Sequence, residues 1–219
     1  MLKYLKRPFK FDCLNPLLKK GFKLLDVGCG NHSPSSTKWY YPEIEYYGVD
    51  KFRDYNLDDR DFACIHTFFQ DDLDGSDLKQ IPENYFDCII FAHVIEHLKN
   101  GEDVLLRLIN KLKRGGIIYL EFPHARSLFF PRMKRPIFGG TLNFYDDPTH
   151  VRIYEKQLLE ILLKQNNCEI VRSGRRISMK RILLFPVYFL GSIIEFKHIN
   201  GGLFWDILGF ADYIVARRL

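Results

Sequence analysis

The run FKLLDVGCGN, residues 22–31, decides the fold. Residues 22–28 are a short apolar run ending in glycine, the pattern of a buried strand. Gly28 and Gly30 then allow a sharp turn and a close backbone approach to a ligand. SPSSTKWYY (33–41) follows with a serine at the cap position and Pro34 at the first helical position. IEYYGVD (44–50) reads as a second strand, and its last residue, Asp50, stands twenty residues past Gly30. In open α/β folds an acid at that place hydrogen-bonds the ribose of a nucleotide cofactor. The third glycine of a dinucleotide fingerprint is absent, because position 33 is Ser33. A nucleoside ligand without a pyrophosphate therefore fits better than NAD.

Further strands are expected over 63–69, 85–92, 117–122, 168–174 and 211–219. GEDVLLRLINKLKRGG (101–116) carries a helical stripe at Val104, Leu105, Leu108, Ile109 and Leu112, with Gly-Gly as its stop. EKQLLEILLKQN (155–166) is a second amphipathic helix. Strands alternating with helices predict a mostly parallel, seven-stranded sheet sandwiched by helices, with insertions over 123–153 and 175–210. At 219 residues, one domain with a sizeable core is expected.

LLDVGCGN, YYGVD, FFQDDL, FDCIIFAHVIEHL and LKRGGIIYLEFP, in that order, resemble the S-adenosylmethionine-dependent methyltransferases of the Rossmann-like class I fold. The resemblance covers roughly 20–125 and the closing strands. It implies S-adenosylmethionine as cofactor, with Asp26, Gly28 and Gly30 at its methionine end and Asp50 on the ribose. Lys51 would lie beside the adenine, Asp72 and Leu73 would meet its amino group and ring nitrogen with Asp71 as the alternative register, and Phe91 to His93 would line the sulfonium side. DPTHVR (147–152), within NFYDDPTHVRIYEKQLLEIL (143–162), resembles a segment of bacterial methyltransferases associated with cell-surface glycan synthesis. This implies O-methylation of a glycan or related small-molecule precursor, with His150 entering from the substrate side and Arg152 available for an anionic group.

HVIEH (93–97) also matches H-x-x-E-H, the zinc signature of inverzincin proteases. On a helical turn His93 and His97 would share one face. Placed just after a fourth parallel strand, the stretch falls instead at the ligand crevice of an open α/β sheet. Methyltransferases acting on RNA ends or quinone precursors carry a related E-x-x-E-H that binds metal. Here His93 replaces the first glutamate, and His93, Glu96, His97 and His150 would be the four-ligand set. The reading adopted has no metal: His97 and His150 are candidate general bases, because histidine titrates near neutrality, and Glu96 orients one of them. A module keeping the fold without catalysis is the competing class.

Net charge is +5, with basic clusters at 3–10, 131–136 and 172–181. They suit an anionic partner, though solvated surface is the ordinary role of such clusters, and a nucleic-acid partner is not expected. The apolar run 182–194 is too short to span a bilayer and is interrupted by Pro186. Following directly on the third cluster, it suits a lid, a dimer contact or, for a lipid-linked acceptor, peripheral membrane contact through 175–198. Five cysteines without C-x-x-C spacing, and no apolar signal-peptide core at the start, lead to the expectation of a reduced, cytoplasmic protein.

Overall fold

The computed structural model describes residues 7–53, 55–133, 138–196 and 199–219. Parts of the first two basic clusters and residues 197–198 of the second insertion lie outside the described residues.

Seven strands form one sheet: β1 (Lys23–Val27), β2 (Glu45–Asp50), β3 (Thr67–Gln70), β4 (Phe86–Ala92), β5 (Leu112–Pro123), β7 (Cys168–Arg175) and β9 (Ala211–Arg218). Two further strands, β6 (Phe138–Gly139) and β8 (Ile199–Asn200), pair only with each other. Across the large sheet the order is β3-β2-β1-β4-β5-β9-β7. All pairs are parallel except those made by β9, which is antiparallel to both neighbours. The central strands are apolar on both faces because helices cover both: Leu24, Leu25, Val27, Ile89, Ile90 and Phe91 are all fully or almost fully buried.

The helices are α1 (Phe9–Leu14), α2 (Ser33–Tyr40), α3 (Asp59–Phe62), α4 (Gly101–Lys111), α5 (Lys156–Gln165), α6 (Met179–Leu183), α7 (Phe185–Phe196) and α8 (Gly202–Leu208). Helices α4 and α5 bury their stripes, Val104, Leu105, Leu108 and Ile109 and then Leu159 and Leu163, in one core cluster. On the opposite face Phe9, Phe11, Cys13 and Leu14 of α1 close a second cluster against β1, β2 and β5. Each such aromatic or aliphatic side chain contributes about 1.5–3 kcal/mol by leaving water.

Two elements depart from the sequence expectation. The helix expected over 101–116 ends at Lys111, and the chain enters β5 at Leu112. Gly115 and Gly116 fall inside that strand, where the register jumps from the Phe86–Leu112 pair to the Cys88–Ile117 pair. Gly115, at φ +79°, supplies the left-handed residue of this bulge rather than a helix stop. The third strand starts at Thr67 rather than residue 63, because Asp58 and Asp61 form a reciprocal capping box that winds 59–62 into a helical turn.

Strand β1 lies between β2 and β4, so the strand order reverses direction there. Such a switch point opens a crevice at the carboxyl ends of the strands. The described residues place a cavity of about 630 Å³ at that end.

Candidate active site

Every strand from β1 to β4 delivers its following loop to the cavity. Gly28 comes from the first loop, Asp50 and Lys51 from the second, Asp71, Asp72 and Leu73 from the third, and Ala92, His93, Glu96 and His97 from the fourth. Thr149, His150 and Trp205 complete the wall from the two insertions.

Gly28 sits at φ +73°, and a Cβ there would lie 2.4 Å from Val94 Cγ2. Only glycine lets the turn after β1 pass so close to the turn after β4. Asp50 accepts a hydrogen bond from Gly30 N at 3.2 Å through Oδ2 and from Phe52 N at 3.2 Å through Oδ1. Burial raises its pKa, and the backbone amides oppose that rise. Each carboxylate oxygen keeps a second lone pair, the acceptor set that a ribose diol needs. Lys51 Nζ pairs with Asp72 Oδ2 at 2.8 Å. Asp71 instead accepts from Ser76 Oγ at 2.8 Å. A cavity of this size, walled by Leu73 and by carboxylates with spare acceptor capacity, fits a nucleoside cofactor.

Three assigned residues are elsewhere. Asp26 is buried behind the cavity wall, where its carboxylate accepts from Ser33 Oγ at 2.5 Å and Tyr46 Oη at 2.7 Å. It ties β1 to α2 and β2 and does not line the cavity. Gly30 acts indirectly, by its amide bond to Asp50; a Cβ there would meet the Tyr55 ring at 2.6 Å. Phe91 is fully buried in the main core, and its neighbour Ala92 lines the cavity, because successive strand residues face opposite sides.

The HVIEH stretch is not a helix. Only Ile95–His97 form a 3₁₀ turn, and His93 has φ +54°. His93 Nδ1 lies 3.1 Å from Glu96 Oε1 and Nε2 lies 2.8 Å from Glu121 Oε1. Both ring nitrogens are thereby engaged, which removes His93 as a zinc ligand and with it the protease geometry. Burial works against charge on this ring, but the bonds to Glu121 and Glu96 outweigh it and lift the pKa to about 9. Glu121 also accepts from Arg176 Nη1 at 2.7 Å and from Tyr119 Oη. Burial would raise its pKa; Arg176 and His93 hold it well below the usual carboxylate range. Arg176 Nε in turn donates to Asp206 Oδ1 at 2.5 Å. This buried chain of charges locks the turn after β4 to the ends of β5 and β7 and to α8.

The 143–157 segment docks onto the same turn, since Val151 N and Arg152 N both donate to Glu96 O, at 2.8 and 3.2 Å. That docking brings the His150 and His97 rings to 4.7 Å. Desolvation lowers the pKa of His150, with the Phe144 carbonyl opposing. Arg152 turns away and pairs with Glu102 at 2.8 Å, so it is not free for an anionic group at this cavity.

Sequence reasoning missed Glu121, Arg176, Trp205, Thr149 and Asp147. Glu121 carried a signal, a lone acid inside the apolar run IIYLEF. Trp205 stacks on Phe210 at 4.6 Å, stands 4.8 Å from the His93 ring and donates to Thr141 O at 2.6 Å. Nothing local to its sequence announces that role.

A family model described as a methyltransferase domain matches residues 3–173. An uncharacterized protein of Methanocaldococcus jannaschii is 29% identical over 107 residues, which cover 47% of this chain and 29% of that protein; the chain thus spans under a third of that relative. Among solved structures, a SAM-dependent methyltransferase from Archaeoglobus fulgidus superposes with a TM-score of 0.61 at 20% identity, covering 99% of this chain and 93% of the other. Phosphoethanolamine N-methyltransferase 2 of Haemonchus contortus, in complex with phosphomonomethylethanolamine and S-adenosylhomocysteine, gives 0.61 at 14% identity, covering 95% and 52%. At these identities the structural likeness is one of fold.

Proposed function

The chain belongs to the methyltransferase domain family, with S-adenosylmethionine as its cofactor, and we propose that it methylates a hydroxyl of a glycan or related cell-surface precursor. The observation that carries this reading is one cavity with two chemically different ends. Asp50, Lys51, Asp72 and Leu73 form a nucleoside end. Glu96, His97 and His150 form a proton-accepting end. When bound, the cofactor supplies an electrophilic methyl group for in-line displacement, so alignment contributes much of the acceleration.

On this reading Asp50 holds the ribose, Asp72 with Leu73 receives the adenine, and the Gly28 turn lets the backbone lie against the cofactor. Asp26 and Gly30 support that turn from behind. At the other end, a sugar hydroxyl is a weak nucleophile near neutral pH and gains from a base within hydrogen-bond reach. His150 Nδ1 donates to Phe144 O at 2.6 Å, which leaves Nε2 as the lone pair for that task. His97 and Glu96 stand beside it. The glycan assignment draws support from the DPTHVR segment, whose docking on Glu96 delivers His150; fold alone fixes no substrate.

The test is label transfer from methyl-labelled cofactor to a panel of hydroxyl-bearing glycosides, free and lipid-linked. An alkali-stable ether is the expected product. Label appearing only in amines or in base-labile esters would refute an oxygen acceptor of this class.

Contact with a membrane surface through 175–198 and a cytoplasmic location are part of the same proposal. Leu183, Val187, Leu190 and Ile194, spaced by four, three and four, are 75%, 67%, 61% and 81% exposed. They form one apolar face along α6 and α7. No acid occurs from Arg172 to Ile194, whereas five arginines and lysines do; Arg176 is held by Glu121 and Asp206, and the positive charge of the other four suits an anionic bilayer surface. No helix among the described residues is long and apolar enough to cross a membrane. All five cysteines are free, and four are buried.

A further inference from the structure

Asp147 and Thr149, with Pro148 between them, form a tight turn at the rim of the cavity's acceptor end, and both line its wall. Asp147 Oδ1 accepts from Thr149 N at 2.9 Å and from Thr149 Oγ1 at 2.5 Å. The first bond closes an Asx turn, and Pro148 fixes one of its backbone dihedrals. The bonds of Val151 N and Arg152 N to Glu96 O pin this turn to the loop after β4. Thr149 is exposed, yet its hydroxyl is held at both ends.

That hydroxyl assigns every proton along the chain of bonds. Burial would raise the Asp147 pKa, but the two bonds from Thr149 and the nearby His150 and His97 rings outweigh it and hold it below the ordinary value. The acid is therefore ionised near neutral pH. A carboxylate can only accept, so the Thr149 hydrogen goes to Asp147. Thr149 Oγ1 then has only lone pairs for His97 Nδ1 at 2.8 Å, and Nδ1 must carry the ring hydrogen. The lone pair of the neutral ring lies on Nε2, in a side chain that lines the cavity. His97, Thr149 and Asp147 form a relay, an acid behind a histidine with one hydroxyl inserted between them.

Glu96 does not share this task. Its Oε1 bonds His93 at 3.1 Å and stands 4.0 Å from His150 Nε2, outside hydrogen-bond distance. The His150 ring is fixed in the same tautomer, but by a neutral group, the Phe144 carbonyl. Of the two rings, His97 is the one backed through a hydroxyl by a carboxylate.

We propose that Thr149 and Asp147 are the positioning residues of the acceptor end, holding His97 with its Nε2 lone pair available to the acceptor and stabilising the imidazolium that forms there. The proposal rests on the hydroxyl-acceptor reading above. As the acceptor oxygen bonds the methyl carbon, the carbon–sulfur bond breaks and its electron pair neutralises the sulfonium. The hydroxyl proton moves to His97 Nε2, Nδ1–H stays on Thr149, and the positive charge is met by Asp147 two hydrogen bonds away. Water then takes the proton. His97 is thus a base in its own right beside His150, and its orienting acid comes from the 123–153 insertion rather than from the HVIEH stretch.

The test is nitrogen-15 NMR of the histidine rings at about pH 8.5, two units above the ordinary imidazole pKa. The His97 signal is the one missing in His97→Asn. The parent should show Nδ1 protonated and Nε2 bare. Thr149→Val should populate the opposite tautomer, and Thr149→Ser should restore the first. Asp147→Asn should keep it, because an amide oxygen still accepts from Thr149. On a glycoside that the parent methylates, Thr149→Val and Asp147→Asn should each lower kcat at least about tenfold, part of what a general base contributes. Thr149→Ser should recover it. S-adenosylhomocysteine affinity should be unchanged in these three variants, which certifies their folding. An unchanged tautomer in Thr149→Val, or unchanged kcat in both Thr149→Val and Asp147→Asn, overturns the relay. A parent with the expected tautomer that binds S-adenosylhomocysteine but methylates no hydroxyl would refute the acceptor reading and leave the relay standing.

Discussion

Replacing Glu121 by glutamine tests what holds the active-site turn in place. The carboxylate is almost fully buried and bonds to His93, Arg176 and Tyr119. E121Q keeps the shape but removes the negative charge between two cations, and its amide turns a donor toward groups that are themselves donors. Breaking a buried, hydrogen-bonded ion pair by removing one partner costs about 3–5 kcal/mol. For a chain of this size each kcal/mol lowers the melting temperature by about 2–4 °C, so a loss of about 4 kcal/mol corresponds to roughly 8–16 °C. Calorimetric melting at pH 7.5 reads this directly, His93 being cationic there because its pKa is about 9. The control is Glu169→Gln, whose carboxylate is exposed and 3.5 Å from Arg217; surface pairs of that kind contribute about 0–1 kcal/mol. An E121Q protein melting within about 2 °C of the parent would refute the reasoning, since the network would then hold nothing that solvent could not replace.

Asp50→Ala should weaken S-adenosylhomocysteine binding by roughly 10- to 100-fold, the worth of one or two hydrogen bonds to a charged group, measured by calorimetry. Gly28→Ala should abolish that binding and destabilise the fold by about 1–3 kcal/mol, because its Cβ meets Val94 in a left-handed residue. Burial raises the Asp212 pKa from its ordinary 3.8 to about 6, with Lys156 and Arg175 opposing. The folded chain therefore binds that proton more tightly than the unfolded one. Its stabilising effect is complete below about pH 4 and lost as pH rises through about 6. D212N should consequently melt higher than the parent at pH 8, by up to about 3 kcal/mol at about 1.4 kcal/mol per pH unit, and match it at pH 4; no difference at pH 8 would contradict the burial argument. Val187→Glu with Leu190→Glu should abolish co-sedimentation with anionic vesicles while leaving cofactor binding intact, and equal sedimentation of parent and variant would sink the membrane contact.

What the sequence disclosed was what is local. LLDVG and YYGVD are short apolar runs with a turn residue or an acid at their ends, and they fold as the strands and loops that periodicity indicates. Asp50, Lys51, Asp72, Leu73, His93, Glu96, His97 and His150 do share one cavity. The failure at Phe91 has a physical cause: a strand buried on both faces has no polar alternation, so its parity cannot be read from composition. Asp26 misled because an acid before a glycine turn looks the same whether it faces a ligand or, as here, Ser33 and Tyr46. The Glu121–Arg176 pair joins residues 55 apart, and Trp205 reaches His93 only through the fold. The Gly-Gly after α4 was read as a helix stop because a bulge and a stop use the same residue for the same left-handed backbone.

The most direct test of the central claim is calorimetric titration of the purified protein with S-adenosylhomocysteine in the presence of a chelator. The account predicts one site per chain with a dissociation constant on the order of micromolar, lost or weakened at least about tenfold in Asp50→Ala. Absence of binding by the parent, or undiminished binding by the Asp50 variant, would contradict the placement of the cofactor in this cavity.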